Sequence, residues 1–208
     1  MEKFKYSGKT IEEAKEIALK TLNCEEKDIY IKENEIKGGL FKAKKVEIEV
    51  VTKNQIIEEI KSFLTDILST MKLDVKFEIK NRDEIPFITI FSDNNNILIG
   101  KQGRTVDAIN TILKQYLRNE LGFTFKYNLD VGEYKLKNQK RLEKLAKNIA
   151  RDVIRTKMDI KLDPMNSYER RIIHTVLSEY KKVTTESIGE EPNRSVVIKF
   201  KEKTEEQA

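Results

Sequence analysis

Residues 73–80 read L-D-V-K-F-E-I-K, and residues 45–50 read K-V-E-I-E-V. Apolar and charged side chains alternate strictly in both. Successive residues of a strand point to opposite faces, so each run is a strand with one buried and one wetted face. Between such strands lie stretches whose apolar residues recur at three and four, the period of an amphipathic helix. Half-buried strands joined by amphipathic helices restrict the chain to an α+β fold. Its 208 residues leave room for more than one compact unit. The pattern predicts three small domains and a tail.

The first covers residues 1–51. F-K-Y-S-G reads as a short strand. Thr10 is placed to cap a helix from Ile11 to about Leu22, with Glu13 in position for a capping box. I-Y-I-K-E-N-E-I is a second strand, K-G-G-L-F a turn with Phe41 at its tip, and K-V-E-I-E-V a third strand. The order is β-α-β-β. Residues 50–55 form a short connection.

The second covers residues 55–131. A helix from about Gln55 to Thr70 presents Ile56, Ile60, Phe63, Leu64, Ile67 and Leu68. The strand at 73–80, an N-R-D-E turn and a strand over 86–91 follow, with Pro86 at a strand start where a missing donor is tolerated. D-N-N-N is a loop. After I-L-I-G-K-Q-G comes a helix from about Arg104 to Leu121, closed by Gly122, then a strand over 123–131.

The third covers residues 133–201. It opens with a long basic helix from about Lys135 to Thr156. I-K-L, a D-P-M-N turn, a helix from Ser167 to about Tyr180 and two last strands complete it. Residues 202–208 form a frayed tail.

Charge narrows the function. The net charge is +5, and charged residues make up 36% of the chain. The first two thirds are balanced. Between Lys135 and Lys161, however, ten basic residues stand against three acidic ones. Lys140, Lys144, Lys147, Arg151 and Arg155 form a stripe at spacings of three and four. A local excess of this kind suits a polyanion, although a solvated helix face gives the same pattern. Lone Cys24 permits no internal disulfide and fits a reducing compartment. No apolar run reaches the roughly 18 residues of a membrane span, and the start has no apolar h-region, so a cytoplasmic protein is expected.

G-K-Q-G, residues 100–103, fits neither a Walker loop nor a dinucleotide fingerprint. Asn95 and Gln102 stand where the Walker pattern needs Gly and Ser or Thr, and the third glycine of G-x-G-x-x-G is missing. Two readings remain: a corner that needs glycine to bend, or a loop whose bare backbone approaches phosphate at a helix N-terminus. Lys101 and Arg104 add positive charge on either side.

The order helix, strand, strand, short helix, G-x-x-G, helix, strand resembles the type II KH domain, whose G-x-x-G loop clamps the backbone of single-stranded nucleic acid. The resemblance makes Gly100, Lys101, Gln102, Gly103 and Arg104 an RNA-binding loop. It makes Ile97, Leu98 and Ile99 one side of a groove for bases, faced by strand residues within 86–91. Arg170 and His174, four apart in N-S-Y-E-R-R-I-I-H, share a helix face and resemble the R-x-x-x-H domain of single-stranded nucleic-acid binders. Arg194, in P-N-R, belongs to the same implied surface. P-M-N-S-Y-E-R-R-I-I-H, V-T-T-E-S and G-E-E-P-N-R together resemble the Jag (KhpB) family, as does the N-terminal unit with its K-G-G-L-F turn.

That resemblance implies a single-stranded RNA-binding protein, with single-stranded DNA as a further ligand. It implies an RNA chaperone or post-transcriptional regulator linked to cell-envelope growth, cell length and division. Its implied partners are a small KH protein (KhpA-like) or a second copy through KH, and the membrane insertase SpoIIIJ through the N-terminal domain. An adaptor for SpoIIIJ with RNA secondary is the alternative.

No catalytic, metal-binding, cofactor-binding or small-molecule site is expected. His174 is the single histidine and lacks a nucleophile or further ligands nearby in sequence. It could bind nucleic acid or pack within the fold. Arg170 suits phosphate because its charge is independent of pH, while Arg171 could face Glu169 or Asp163. Phe87, Phe91 and Tyr168 are candidate stacking residues.

Overall fold

The computed structural model describes residues 1–36 and 45–201. The K-G-G-L-F turn and the frayed tail lie outside the described residues. The elements are β1 (Phe4–Gly8), α1 (Ile11–Leu22), β2 (Ile29–Ile36), β3 (Lys45–Thr52), α2 (Lys53–Thr70), β4 (Val75–Arg82), β5 (Ile85–Ser92), α3 (Asn95–Ile99), α4 (Arg104–Leu121), β6 (Asn128–Val131), α5 (Tyr134–Thr156), β7 (Ile160–Lys161), α6 (Ser167–Leu177), β8 (Val183–Ile188) and β9 (Ser195–Phe200). Three three-stranded sheets result, ordered β1-β3-β2, β4-β5-β6 and β7-β9-β8. The class is α+β, and residues 53–131 follow the α-β-β-α-α-β order expected from the sequence.

The chain divides into two compact units. One comprises residues 1–94 and 108–129, the other residues 95–107 and 130–208. The division falls within the 55–131 segment and groups G-K-Q-G with the last third of the chain.

In the first unit, α1 lies on the β1-β3-β2 sheet through Ala14 and Ala18, which are fully buried against Ile29, Ile48 and Val50. Small side chains let the helix come close to the strands. Thr10 accepts from the Glu13 amide at 3.2 Å, as its position predicts. The Glu13 carboxylate turns to the amide of Lys9 at 2.7 Å instead of that of Thr10. No linker separates β3 from α2. Thr52 ends the strand and caps the helix, with Gln55 N donating to Thr52 Oγ1 at 3.2 Å and Thr52 N donating to Gln55 Oε1 at 2.9 Å. The β4–β5 hairpin turns on Asp83 and Glu84, both with positive φ, the twist a two-residue hairpin requires.

The strand expected over 123–131 is shorter than its alternation suggests. Only Asn128–Val131 pair. Phe123 stacks on Tyr30 of β2 at 5.2 Å, and Phe125 meets the same ring edge-on at 5.4 Å. These aromatics leave the ladder to pack on Tyr30. Together with the direct β3–α2 junction, they make the first 50 residues part of a larger unit.

In the second unit, α5 and α6 cover the β7-β9-β8 sheet. Leu142, Ala146, Ala150 and Val153 meet Ile173, Leu177, Val196 and Ile198 in one core. The helix expected to reach Tyr180 ends at Leu177, and the long basic helix begins at Tyr134.

The two capping and packing contributions separate by size. Leu64 is fully buried; Leu64→Ala is expected to lower the unfolding free energy by about 2–5 kcal/mol. Thr52→Ala, which removes the cap alone, is expected to lower it by about 1 kcal/mol. Urea titration of both variants, with an unchanged m-value, checks the ordering.

Candidate nucleic-acid interface

The loop G-K-Q-G needs its glycines for conformation and for space. Gly100, Gln102 and Gly103 all have positive φ, of 69°, 57° and 80°. A Cβ on Gly100 would lie 2.0 Å from Thr105 Oγ1, and one on Gly103 would lie 3.1 Å from Tyr134 Cε1. The loop therefore turns tightly into α4 and lets the Tyr134 ring of α5 settle against Gly103. Gln102, which the resemblance places in the RNA-binding loop, is tied to the protein itself. Its side-chain amide donates to the carbonyl of Pro164 at 2.6 Å, and its own carbonyl accepts from Asn166 Nδ2 at 3.5 Å. Lys101 and Arg104 are exposed. Neither forms an ion pair among the described residues.

The apolar residues before the loop do not act as a set. Ile97 is 48% exposed and Ile99 is half-buried, but Leu98 is 0% exposed and belongs to the interior. Its assignment to a groove wall is corrected: one turn of α3 cannot present three consecutive side chains to the same side. On β5, Phe87 and Phe91 point away from buried Pro86, Ile88 and Ile90. The Arg82 guanidinium sits 5.0 Å from the centroid of the Phe87 ring. Tyr168 is exposed at the start of α6.

α6 is set by a capping box that sequence reasoning missed. Asn166 Oδ1 accepts from Glu169 N at 2.9 Å, and Glu169 Oε2 accepts from Asn166 N at 3.2 Å. The other carboxylate oxygen of Glu169 accepts from Asn138 Nδ2 of α5 at 2.8 Å. Glu169 is 2% exposed. It makes no pair with Arg171, which remains exposed, so the pairing considered for Arg171 is not formed. Two signals were available: Asn166 and Glu169 stand three apart in N-S-Y-E, the spacing of a capping box, and Asn138 is a polar residue four before the buried Leu142 of α5.

The same box aims Arg170 and His174. Arg170 is buried. Its Nη2 pairs with Glu191 Oε1 at 2.7 Å, and its Nε donates to the carbonyl of Met165 at 3.3 Å. His174 lies between two hydroxyls of β8, with Nδ1 2.6 Å from Thr185 Oγ1 and Nε2 2.9 Å from Ser187 Oγ. Burial first, and the Arg170 charge second, push the His174 pKa below its ordinary 6.5. Arg194 is half-buried, and its Nε is enclosed without a hydrogen-bond partner. The Arg–His face is thus a packed network in which Arg170 is satisfied from within, whereas Arg194 keeps an unpartnered Nε.

The α5 stripe is different. Lys140, Lys144, Lys147, Arg151 and Arg155 are all exposed. Arg151 bonds to Asn148 and to the carbonyl of Lys147, and Arg155 pairs with Asp152 at 2.8 Å. The three lysines form no ion pair among the described residues. Among those residues, no group of three His, Cys, Asp or Glu side chains is arranged to hold a metal.

The lowered His174 pKa has a defined sign. The unfolded chain takes up this proton more readily than the folded one, so His174 contributes stability above the unfolded value near 6.5 and loses it as pH falls. Between pH 7 and 5, wild type is expected to lose stability more steeply than His174→Gln. Urea midpoints at four pH values check this; parallel profiles would refute it.

A family model of the R-x-x-x-H domain matches residues 140–200. Across 203 residues the chain is 32% identical to the RNA-binding protein KhpB of Bacillus subtilis (strain 168), covering 94% of this chain and 97% of that protein. It is 38% identical over 141 residues to the RNA-binding protein KhpB of Clostridium symbiosum, covering 67% of this chain and 64% of that one. The match to the Lactiplantibacillus plantarum KhpB is 35% over 129 residues, or 39% of its length. The chain therefore spans less than two thirds of some relatives and nearly all of another. Identity of this extent, with the R-x-x-x-H match across the α5–β9 segment, places the chain in the KhpB (Jag) family.

Proposed function

We propose that this protein binds single-stranded RNA through the G-K-Q-G loop and the basic face of α5, without catalysing a reaction on it. The observation that carries the reading is the distribution of free cations. Lys101 and Arg104 flank a tight loop at the head of α4, and Lys140, Lys144 and Lys147 line α5 within the same compact unit. Exposed cations without carboxylate partners are available to release counterions from a phosphate backbone. The R-x-x-x-H match and the relatives named RNA-binding protein KhpB support it.

In this reading residues 55–131 act as a KH module and residues 133–201 as an R-x-x-x-H module, with residues 1–51 as an N-terminal module. Gly100 keeps the backbone bare at the phosphate, and Gly103 lets the loop pack on Tyr134. Gln102 holds the loop in place. Arg170, His174 and Arg194 shape the surface of the R-x-x-x-H module, and Arg170 reaches a phosphate only by exchanging Glu191 for it. Two weak modules on one chain bind one strand more tightly than either alone, provided that it spans both sites.

Family membership is the support for a finer role: an RNA chaperone or post-transcriptional regulator in the cytoplasm, linked to cell-envelope growth, cell length and division. The same holds for a small KH protein or a second copy as partner, and for SpoIIIJ as a contact of the N-terminal module. Among the described residues, no helix is long and apolar enough to cross a membrane.

Fluorescence anisotropy with a mixed-sequence single-stranded RNA tests the reading. Lys101→Asp/Arg104→Asp is expected to weaken binding at least tenfold with an unchanged melting temperature. Lys144→Gln/Lys147→Gln is expected to make the log Kd–log salt slope shallower by roughly 0.7 for each phosphate that is no longer neutralised. Wild type without measurable affinity at physiological salt, or a loop variant that binds as wild type does, would refute it.

A further inference from the structure

Beside the G-K-Q-G loop, in the same unit, lies a cleft of about 390 Å³, at the small end of the roughly 300–1,000 Å³ typical of ligand pockets. Leu145 and Ile149 of α5 and Ile160 of β7 form its apolar walls. Half-buried Gln102 and the exposed Arg141 and Lys161 also line it. We propose that this cleft receives one unstacked nucleobase of the RNA strand whose backbone rests on the G-K-Q-G loop. The inference rests on the RNA-binding reading above and adds to it a base site that the G-K-Q-G and Arg–His motifs do not include.

The observation behind it is the treatment of Arg141. An exposed arginine ordinarily samples many rotamers. Here the Arg141 guanidinium donates twice to Asn138 Oδ1, from Nε at 3.2 Å and Nη2 at 2.8 Å. Asn138 is itself buried, and Glu169 holds its amide. A buried carboxylate therefore orients a buried amide, which fixes the plane of a surface guanidinium at the mouth of an apolar cleft. Polar groups are buried at a penalty unless they are bonded, and this chain of bonds ends on no structural partner beyond Arg141. A fixed guanidinium plane is a stacking surface for a base.

Charge selects the part of the nucleotide. Asp163 and Glu169 both border the cleft, so a phosphate inside it would meet two carboxylates. A neutral base meets the apolar walls and the guanidinium face. The phosphates on either side of that base then fall toward Lys101 and Arg104 of the adjoining loop and toward Lys161, which lines the cleft. Gln102 is the common wall of the loop and the cleft, which makes the two sites continuous.

The test uses the full chain and short single-stranded RNAs carrying 4-thiouridine at one position at a time, with anisotropy in parallel. Photocrosslinks are expected at Arg141, Leu142, Leu145 or Ile149, or within residues 160–165, which line the cleft, for at least one position. Arg141→Lys and Arg141→Gln are both expected to weaken binding on the order of tenfold, as loss of one base stack does, with the melting temperature unchanged. Arg141→Lys keeps the charge and loses the plane, so full affinity in that variant would overturn the base site. Crosslinks confined to the G-K-Q-G loop and the α5 lysines would also overturn it. If those two results occur while Lys101→Asp/Arg104→Asp still loses affinity, the base site alone fails. If wild type binds no RNA, the parent reading fails and the base site with it.

Discussion

The buried carboxylate of Glu169 is the joint on which the second unit depends. One oxygen caps α6 through the amide of Asn166, and the other holds Asn138 of α5. Asn166 in turn reaches the backbone of Gln102. Three segments distant in sequence are thereby placed by one side chain: the G-K-Q-G loop, the start of α5 and the helix that carries Arg170 and His174. A carboxylate at 2% exposure is unfavourable unless its acceptor sites are filled, and here both oxygens are engaged. Removing it would leave a backbone donor and an amide donor buried and unpaired, which is more disruptive than the loss of two ordinary bonds.

This network separates two kinds of cation. Arg170 and Arg194 are drawn inward, and Arg170 has a carboxylate and a carbonyl of its own. Their first consequence is the shape of the α6–β8 surface. Lys101, Arg104 and the α5 lysines remain exposed and carry the positive field that a polyanion would meet. Arg141 is intermediate, exposed but held in one orientation.

The legible parts of the fold were those that depend on neighbours in sequence. Strict alternation in residues 73–80 marked β4, and the spacing of Ile56, Ile60 and Leu64 marked α2. Thr10 marked a helix start. The misreadings have one origin. Phe123, Phe125 and Tyr127 alternate like a strand, yet the first two rings pack on Tyr30, about ninety residues earlier. Leu98 shares its hydrophobicity with Ile97 but faces inward. Glu169 read as a charge available to Arg171, and is instead consumed by Asn138 and Asn166.

By itself, the sequence determined the order of elements, most of their boundaries, the concentration of positive charge in α5 and the glycines that a left-handed loop demands. These follow from periodicity, caps and backbone sterics, which act over a few residues. Only the tertiary structure decided which polar groups are free. Glu191 lies 21 residues from Arg170, Glu169 lies 31 from Asn138, and Pro164 lies 62 from Gln102. A side chain's charge is written in its identity, but its availability depends on a partner that only the folded chain brings within hydrogen-bonding distance.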